Sequence, residues 1–323
     1  MRSLAVLGIL AAPALAASPA AAQVEIKLGH VLGESHSWHV AAKGFAKDVF
    51  EGTTGRVNIA VLASGQLGDE AQMVAGLRDG SRHAGLLGCA ALQAIEPKIG
   101  IVELPYAWPT REHAHKALDG QLGAALGSLL DAKGIVVLSW WEGGFRHITG
   151  KGAPIRVPGD LRGLKINVAP GQMRMETFRA LGAEPQSLAA GEVYSALRQG
   201  RLQAQEGPLS AVIGASFFEV QESVSLSSHV WSAACLVLAK ETWSGLEPTD
   251  RDFILRMAAG WSGKQRKLSA DAEKSVASKL ADRGMAVAAA DRPAFVAAVQ
   301  PVWAAFGAAF GPELMGLMEQ YRK

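Results

Sequence analysis

The stretch from Asp250 to Arg283 reads as one helix of 34 residues, and no other segment says as much about the shape of the molecule. Its apolar residues Phe253, Ile254, Met257, Trp261, Leu268, Val276 and Leu280 keep roughly helical spacing, Thr249 or Asp250 offers an N-cap, and Gly284 stops it. At about 1.5 Å per residue such a helix is about 51 Å long. A compact lobe of about 150 residues is only roughly 38 Å across. The spacing therefore predicts a helix that bridges two lobes, with Gly260 and Gly263 as the places where it would bend instead.

Two lobes also suit the length of 323 residues, of which 49% are apolar and 19% charged. Short β-rich runs alternate with helical patterns: Val24 to Leu28, Trp38 to Phe50, Val57 to Leu62, Asp69 to Arg78, Ala84 to Leu87. The pattern recurs after Gly143, through Leu164 to Val168, a helix ending at Gly182, a helix from Glu192 to Gln199 and a strand from Leu202 to Glu206. Such alternation predicts an α/β fold with a parallel sheet and crossover helices. With no Gly/Ser-rich tether, the hinge is expected to be made of strands. The expected division is residues 23–143 plus 233–272 in lobe I, and 144–232 plus 273–323 in lobe II. Residues 1–22 join a basic Arg2, an apolar run from Leu4 to Ala12 and the small residues Ala20 to Ala22, the pattern of a cleaved secretory signal peptide. A periplasmic protein follows from that.

The usual chemical signatures are missing from the sequence: no phosphate-binding loop, dinucleotide fingerprint, Gly-x-Ser-x-Gly elbow or Cys-x-x-Cys pair occurs. A formal charge of +2 gives nucleic acid no bulk attraction. His36 with His39, and His113 with His115, lack a third ligand nearby, and no metal or cofactor is expected. Trp140 and Trp141 follow the apolar run Ile135 to Leu138, and Trp231 follows His229. Adjacent strand residues face opposite sides, so one of Trp140 and Trp141 is expected to face a ligand cleft. The apolar surroundings of Cys89 and Cys235 favour two small buried residues over a bridge, while export leaves the bond open.

From Val24 to about Ala290 the chain resembles the DctP-type solute-binding proteins of tripartite ATP-independent periplasmic (TRAP) transporters. The resemblance rests on Ser64-Gly-Gln-Leu-Gly68, Leu104-Pro-Tyr106, Leu118-Asp-Gly120, Gly144-Phe-Arg146, Gly163-Leu-Lys165, Leu181-Gly-Ala183, Glu192-Val-Tyr194 and Phe218-Glu-Val-Gln221 with His229, all in order. It implies two α/β lobes, a long helix across both, a ligand held in the cleft, and delivery to the small and large membrane subunits of a permease driven by an ion gradient. A sensor subunit docking on a receptor kinase would have the same fold. No enzyme is implied.

Ligands of this family are mostly carboxylates, gripped by an arginine in a Gly-Leu-Lys-x-Arg block whose planar fork meets both oxygens. Here the block reads Gly163-Leu-Lys-Ile-Asn167, and Gly207 stands before Pro208 where the family carries asparagine. Arg146 is the family arginine retained. Lys165 should face the same side as Asn167. Asn167, Gly207 and the small Ala190 are expected to open part of the pocket, with Trp140, Trp141 or Trp231 available for stacking. Glu70 and Gly88 complete the candidate ligand-binding set. The expected ligand is a small organic acid other than a simple C4 dicarboxylate, because the charged fork is missing.

Overall fold

Aliphatic runs separated by capped helices set the element order, and the computed structural model describes residues 23–322. The segment read as a signal peptide, 1–22, lies outside the described residues. The strands are β1 (Val24–Gly29), β2 (Val57–Leu62), β3 (Ala84–Gly88), β4 (Ile135–Gly150), β5 (Lys165–Asn167), β6 (Glu184–Gln186), β7 (Ala204–Pro208), β8 (Ser223–Ala239) and β9 (Ala286–Ala289). Between them run α1 (Ser37–Gly52), α2 (Glu70–Asp79), α3 (Cys89–Leu92), α4 (Arg111–Asp119), α5 (Gln121–Asp131), α6 (Gln172–Ala180), α7 (Ala190–Arg198), α8 (Leu209–Gly214), α9 (Lys240–Ser244) and α10 (Pro248–Asp282). Three helices end the chain: α11 (Arg292–Ala298), α12 (Gln300–Phe310) and α13 (Pro312–Arg322).

The strands join in the order β2-β1-β3-β8-β4-β7-β5-β6, with β9 beside β8. Each end of this sheet is parallel, as the alternation implied: β1 lies between β2 and β3, and β5 between β6 and β7. The middle is not. There β8 runs antiparallel to both β3 and β4, and β4 antiparallel to β7. The sheet is therefore mixed, because two strands of 16 and 17 residues pass through both halves instead of ending within one. Register shifts break their ladder between Val137 and Ser139, Glu142 and Gly144, and Arg146 and Ile148. Bulges of this kind bend and twist a strand. At the middle one Gly144 takes a φ of +91°, which a side chain would resist.

Both faces of the sheet are covered in each half. One core packs α1 and the start of α10 on one face of β1, β3 and β8, through Phe45, Val49, Ile254 and Ala258; another packs α2 to α5 and the C-terminal helices on the opposite face. In the second half, Ile166 and Phe178 centre one cluster and Leu197, Val224 and Leu280 the other.

The long helix is continuous through Gly260 and Gly263. Ile254 and Ala258 near its start and Leu280 near its end belong to cores in different halves, so it spans both. Its N-cap is Glu247, two to three residues before the expected Thr249 or Asp250, because Pro248 occupies the first helical position where a missing N–H costs nothing. Gly284, at φ +87°, ends it as expected.

Cys89 and Cys235 form a disulfide with their Cα atoms 5.7 Å apart, which corrects the reading of two unbonded buried residues. Leu87 lies directly opposite Cys235 in the β3–β8 ladder, and the first residue of α3 comes just past the end of β3. That close crossing was invisible at a sequence separation of 146.

Candidate functional site

A cavity of about 1280 Å³ is walled from both halves of the sheet. The first half contributes the segment Val31 to Trp38, the start of α2 and the end of β3; the second contributes Ala169, Pro170, Arg174 and Pro208 to Gly214. Gly143 to Arg146 of β4 and Ser232 and Ala233 of β8 lie where the strands cross, and α10 adds Ser269, Ala272, Glu273, Val276 and Lys279. Most of these residues are small or apolar. Against that wall the few charged groups decide what the cavity can hold.

Arg146 projects from β4 onto Glu206 of β7, donating from Nε to Oε2 at 2.6 Å and from Nη2 to Oε1 at 2.8 Å. Glu206 also accepts from the Ala169 amide at 2.8 Å and lies 3.1 Å from His229 Nε2. The third register shift makes that last contact possible. Arg146 pairs with Val230 and Ile148 with Ser225, so four residues of β8, 226–229, stand opposite His147 alone and His229 is free to turn toward β7. Burial pulls the imidazole below its usual range, and Glu206 only partly offsets this. His229 is thus neutral near pH 7, donating through Nε2 to Glu206 and accepting at Nδ1 from the Ser227 hydroxyl, 2.8 Å away. Burial pushes the Glu206 carboxyl up, but the Arg146 charge and the His229 and Arg146 hydrogen bonds outweigh it and hold the group well below the usual carboxylate range. Arg146 and Glu206 are therefore a fixed, charged, desolvated pair. Among the described residues Arg146 Nη1 has no hydrogen-bond partner, and its residue lines the cavity.

Glu70 is placed by a capping box, in which Asp69 accepts from the Gln72 amide at 2.8 Å and Gln72 accepts from the Asp69 amide at 3.0 Å. One residue on, Glu70 Oε1 accepts from the Gly88 amide at 2.7 Å. Burial raises its carboxyl above the usual range, opposed by that hydrogen bond and by the charge of Arg174. Its Oε2 has no partner among the described residues.

Arg174, Glu103 and Glu206 were not among the expected site residues. Glu103 ends a short 3-10 turn, and both its oxygens lie 2.7 Å from Arg174 Nη2. A signal existed: Arg174 shares one face of α6 with the buried Thr177 and Phe178, three and four residues on. A basic residue on a buried helical stripe has to find a charged partner or a ligand. With Arg174, Lys279 and Arg283 on its wall, the cavity is not short of positive charge, contrary to what the missing arginine suggested.

The remaining candidates scatter. Glu70, Gly88 and Arg146 line the cavity together. Asn167 does not; its side-chain carbonyl accepts from the Leu188 amide at 3.2 Å and anchors the segment before α7. Gly207 is buried and off the cavity wall, beside Arg146, where a Cβ would come 3.8 Å from the Nη2 that Glu206 already holds. Lys165 is exposed and away from the cavity. Ala190 begins α7, and its side chain is outside the described part. Trp140, Trp141 and Trp231 are all buried, which corrects the expectation that one of the first two faces a cleft. They do face opposite sides of β4, but each side carries a hydrophobic core. His36 caps α1 by accepting from the Trp38 amide, and His39 pairs with His30 at 3.0 Å, so these two histidines do not converge.

The profile of the DctP family, bacterial extracellular solute-binding protein family 7, matches residues 28–309. The 2,3-diketo-L-gulonate-binding periplasmic protein YiaO of Escherichia coli is 33% identical over 283 residues, 87% of this chain and 86% of its own length. Among solved structures, a TRAP periplasmic solute-binding protein from Sulfitobacter with bound β-D-galacturonate superposes with a TM-score of 0.86 at 27% identity, covering 92% of this chain and 99% of the other. Another from Polaromonas, bound to D-erythronate, gives 0.85 at 30% identity over 92% and 98%. These relatives bind solutes for transport, which sets aside both a catalytic role and the receptor-kinase alternative. With a two-lobed α/β frame, a cavity between the halves and a sequence match along nearly its whole length, the chain belongs to the DctP family of bacterial extracellular solute-binding proteins.

Proposed function

We propose that the protein captures a hydroxylated organic acid, such as an aldonate or uronate, and presents it to the small and large membrane subunits of a TRAP permease. The observation that carries this is the Arg146 guanidinium, locked on Glu206 along one edge and opening into the cavity on the other. A cation already desolvated and oriented binds a carboxylate with little further cost. The unpartnered oxygen of Glu70 suits ligand hydroxyl donors. Three relatives that take diketogulonate, galacturonate and erythronate support the class. Glu70 and Glu103 oppose a second carboxylate, so succinate and malate are expected to bind less tightly. The family is periplasmic, and the leader-like run at 1–22 supports export with cleavage. The expected lobe limits, 23–143 with 233–272 and 144–232 with 273–323, are kept except at the C-terminus, where α13 packs on α4 and α5 of the first half; the breaks in β4 and β8 meet near the register shift between Glu142 and Gly144.

A thermal-shift and calorimetric panel of D-erythronate, D-galacturonate and D-glucuronate against erythritol, galactose, glucose, succinate and malate tests the reading. A ligand at a hundred times its Kd adds about 2.7 kcal/mol to stability, which shifts the midpoint readily. Equal stabilisation by acids and by their neutral counterparts, or none by any hydroxy acid, would overturn the proposal.

A further inference from the structure

We propose that Arg174 is a second ligand-gripping cation, reaching the cavity from the first turn of α6. This deepens the reading of the cavity as a hydroxy-acid site and rests on it. Three observations converge. Asn167 is tied to the Leu188 amide and does not reach the cavity, so its own position offers the ligand nothing. Arg174 does line the cavity, and at 9% exposure its charge is almost fully withdrawn from water. Its bonds are also incomplete: Nη2 is held by both oxygens of Glu103, yet the buried Nε has no partner, and Nη1 makes no hydrogen bond among the described residues.

A guanidinium has five N–H donors, and a buried charged donor without an acceptor is costly. Nε is enclosed, but Nη1 is not, and it belongs to a residue on the cavity wall, where a ligand oxygen can accept from it. The charges around it narrow the ligand further. Arg146 and Arg174 each come with a carboxylate of their own, Glu206 and Glu103, and Glu70 adds another. With Lys279 and Arg283 the wall carries four basic groups, balanced by Glu70, Glu103, Glu273 and the Glu206 behind Arg146, which suits one carboxylate with hydroxyl or keto oxygens better than a dianion. The carboxylate goes to Arg146, which has a bare edge, and Arg174 donates to a hydroxyl or keto oxygen of the same molecule.

Removing Arg174 alone would leave Glu103 buried without a partner, so the test pairs the changes. Calorimetry with D-erythronate and D-galacturonate compares the unmodified protein, Glu103→Gln/Arg174→Met and Glu103→Gln. The double variant is expected to fold and to lose at least tenfold in affinity for the acid that the unmodified protein binds. Glu103→Gln, which releases Arg174 from its partner, is expected to bind that acid several-fold more tightly. A folded double variant within threefold of the unmodified protein would overturn the role of Arg174 while leaving the hydroxy-acid reading intact. If the double variant fails to fold, unchanged or weaker binding by Glu103→Gln overturns it instead. Failure of the unmodified protein to bind either acid, or any other hydroxy acid of the panel, would sink the hydroxy-acid reading and this inference together.

Discussion

Glu206 is occupied on both oxygens, by Arg146, His229 and the Ala169 amide, in an interior closed to water. Glu206→Gln keeps the shape but leaves Arg146 charged without its bonded carboxylate, and breaking a buried pair in this way costs about 3–5 kcal/mol. Urea denaturation should show a loss of that size in the free protein and a smaller one with a saturating acid, whose carboxylate restores the missing charge. A loss below about 1 kcal/mol would mean that water reaches the pair and screens it. Residue by residue, the sequence was legible where chemistry is local. Arg146 stood out within Gly144-Phe-Arg146, and Asn167 as a departure from a known block. Glu206 ends the expected strand from Leu202 and was still passed over, because its partner is 60 positions away and only the β4–β7 register brings them together. The tryptophans were misplaced for a related reason. Alternation says which faces they take but not that both faces are covered.

Among the elements, α10 was readable because a single period of apolar residues and one stopping glycine describe it. β4 and β8 were not: Gly143, Gly144, Arg146 and His147 interrupt the apolar alternation of β4, so only Ile135 to Leu138 looked like strand. The disulfide fastens β8 to α3, whose Ala90 and Ala91 wall the cavity beside Ser232 and Ala233. Closing a loop with ends 146 residues apart restricts the unfolded chain by about 5 kcal/mol in the entropic account. Cys89→Ala/Cys235→Ala should therefore lower the urea midpoint, for a stability loss of about a few kcal/mol, and should weaken ligand binding as α3 loosens. Affinity that survives unchanged would show that packing alone positions this wall.

At the scale of the molecule, the two halves communicate through β4, β8 and α10. Arg111 of α4 donates to Glu142 of β4 at 2.6 Å and to Glu273 of α10 at 2.7 Å, and Gln265 of α10 bonds both the amide and the carbonyl of Glu142. These contacts gather at the register shift between Glu142 and Gly144, where the strands pass from one half to the other. Because the cavity wall comes from both halves, a ligand that touches both favours the closed arrangement by its differential affinity. Small-angle scattering should show a smaller radius of gyration with a saturating acid than without, and an unchanged radius would argue against closure. The strand order also dictates a sequence of events in time. β1, β2 and β3 come first along the chain, yet β8, β4 and α10 must arrive before the sheet and cores of that half are complete and before Cys89 can meet Cys235. Contacts so distant along the chain form slowly. The first half therefore stays incomplete, and its disulfide open, until most of the polypeptide is available.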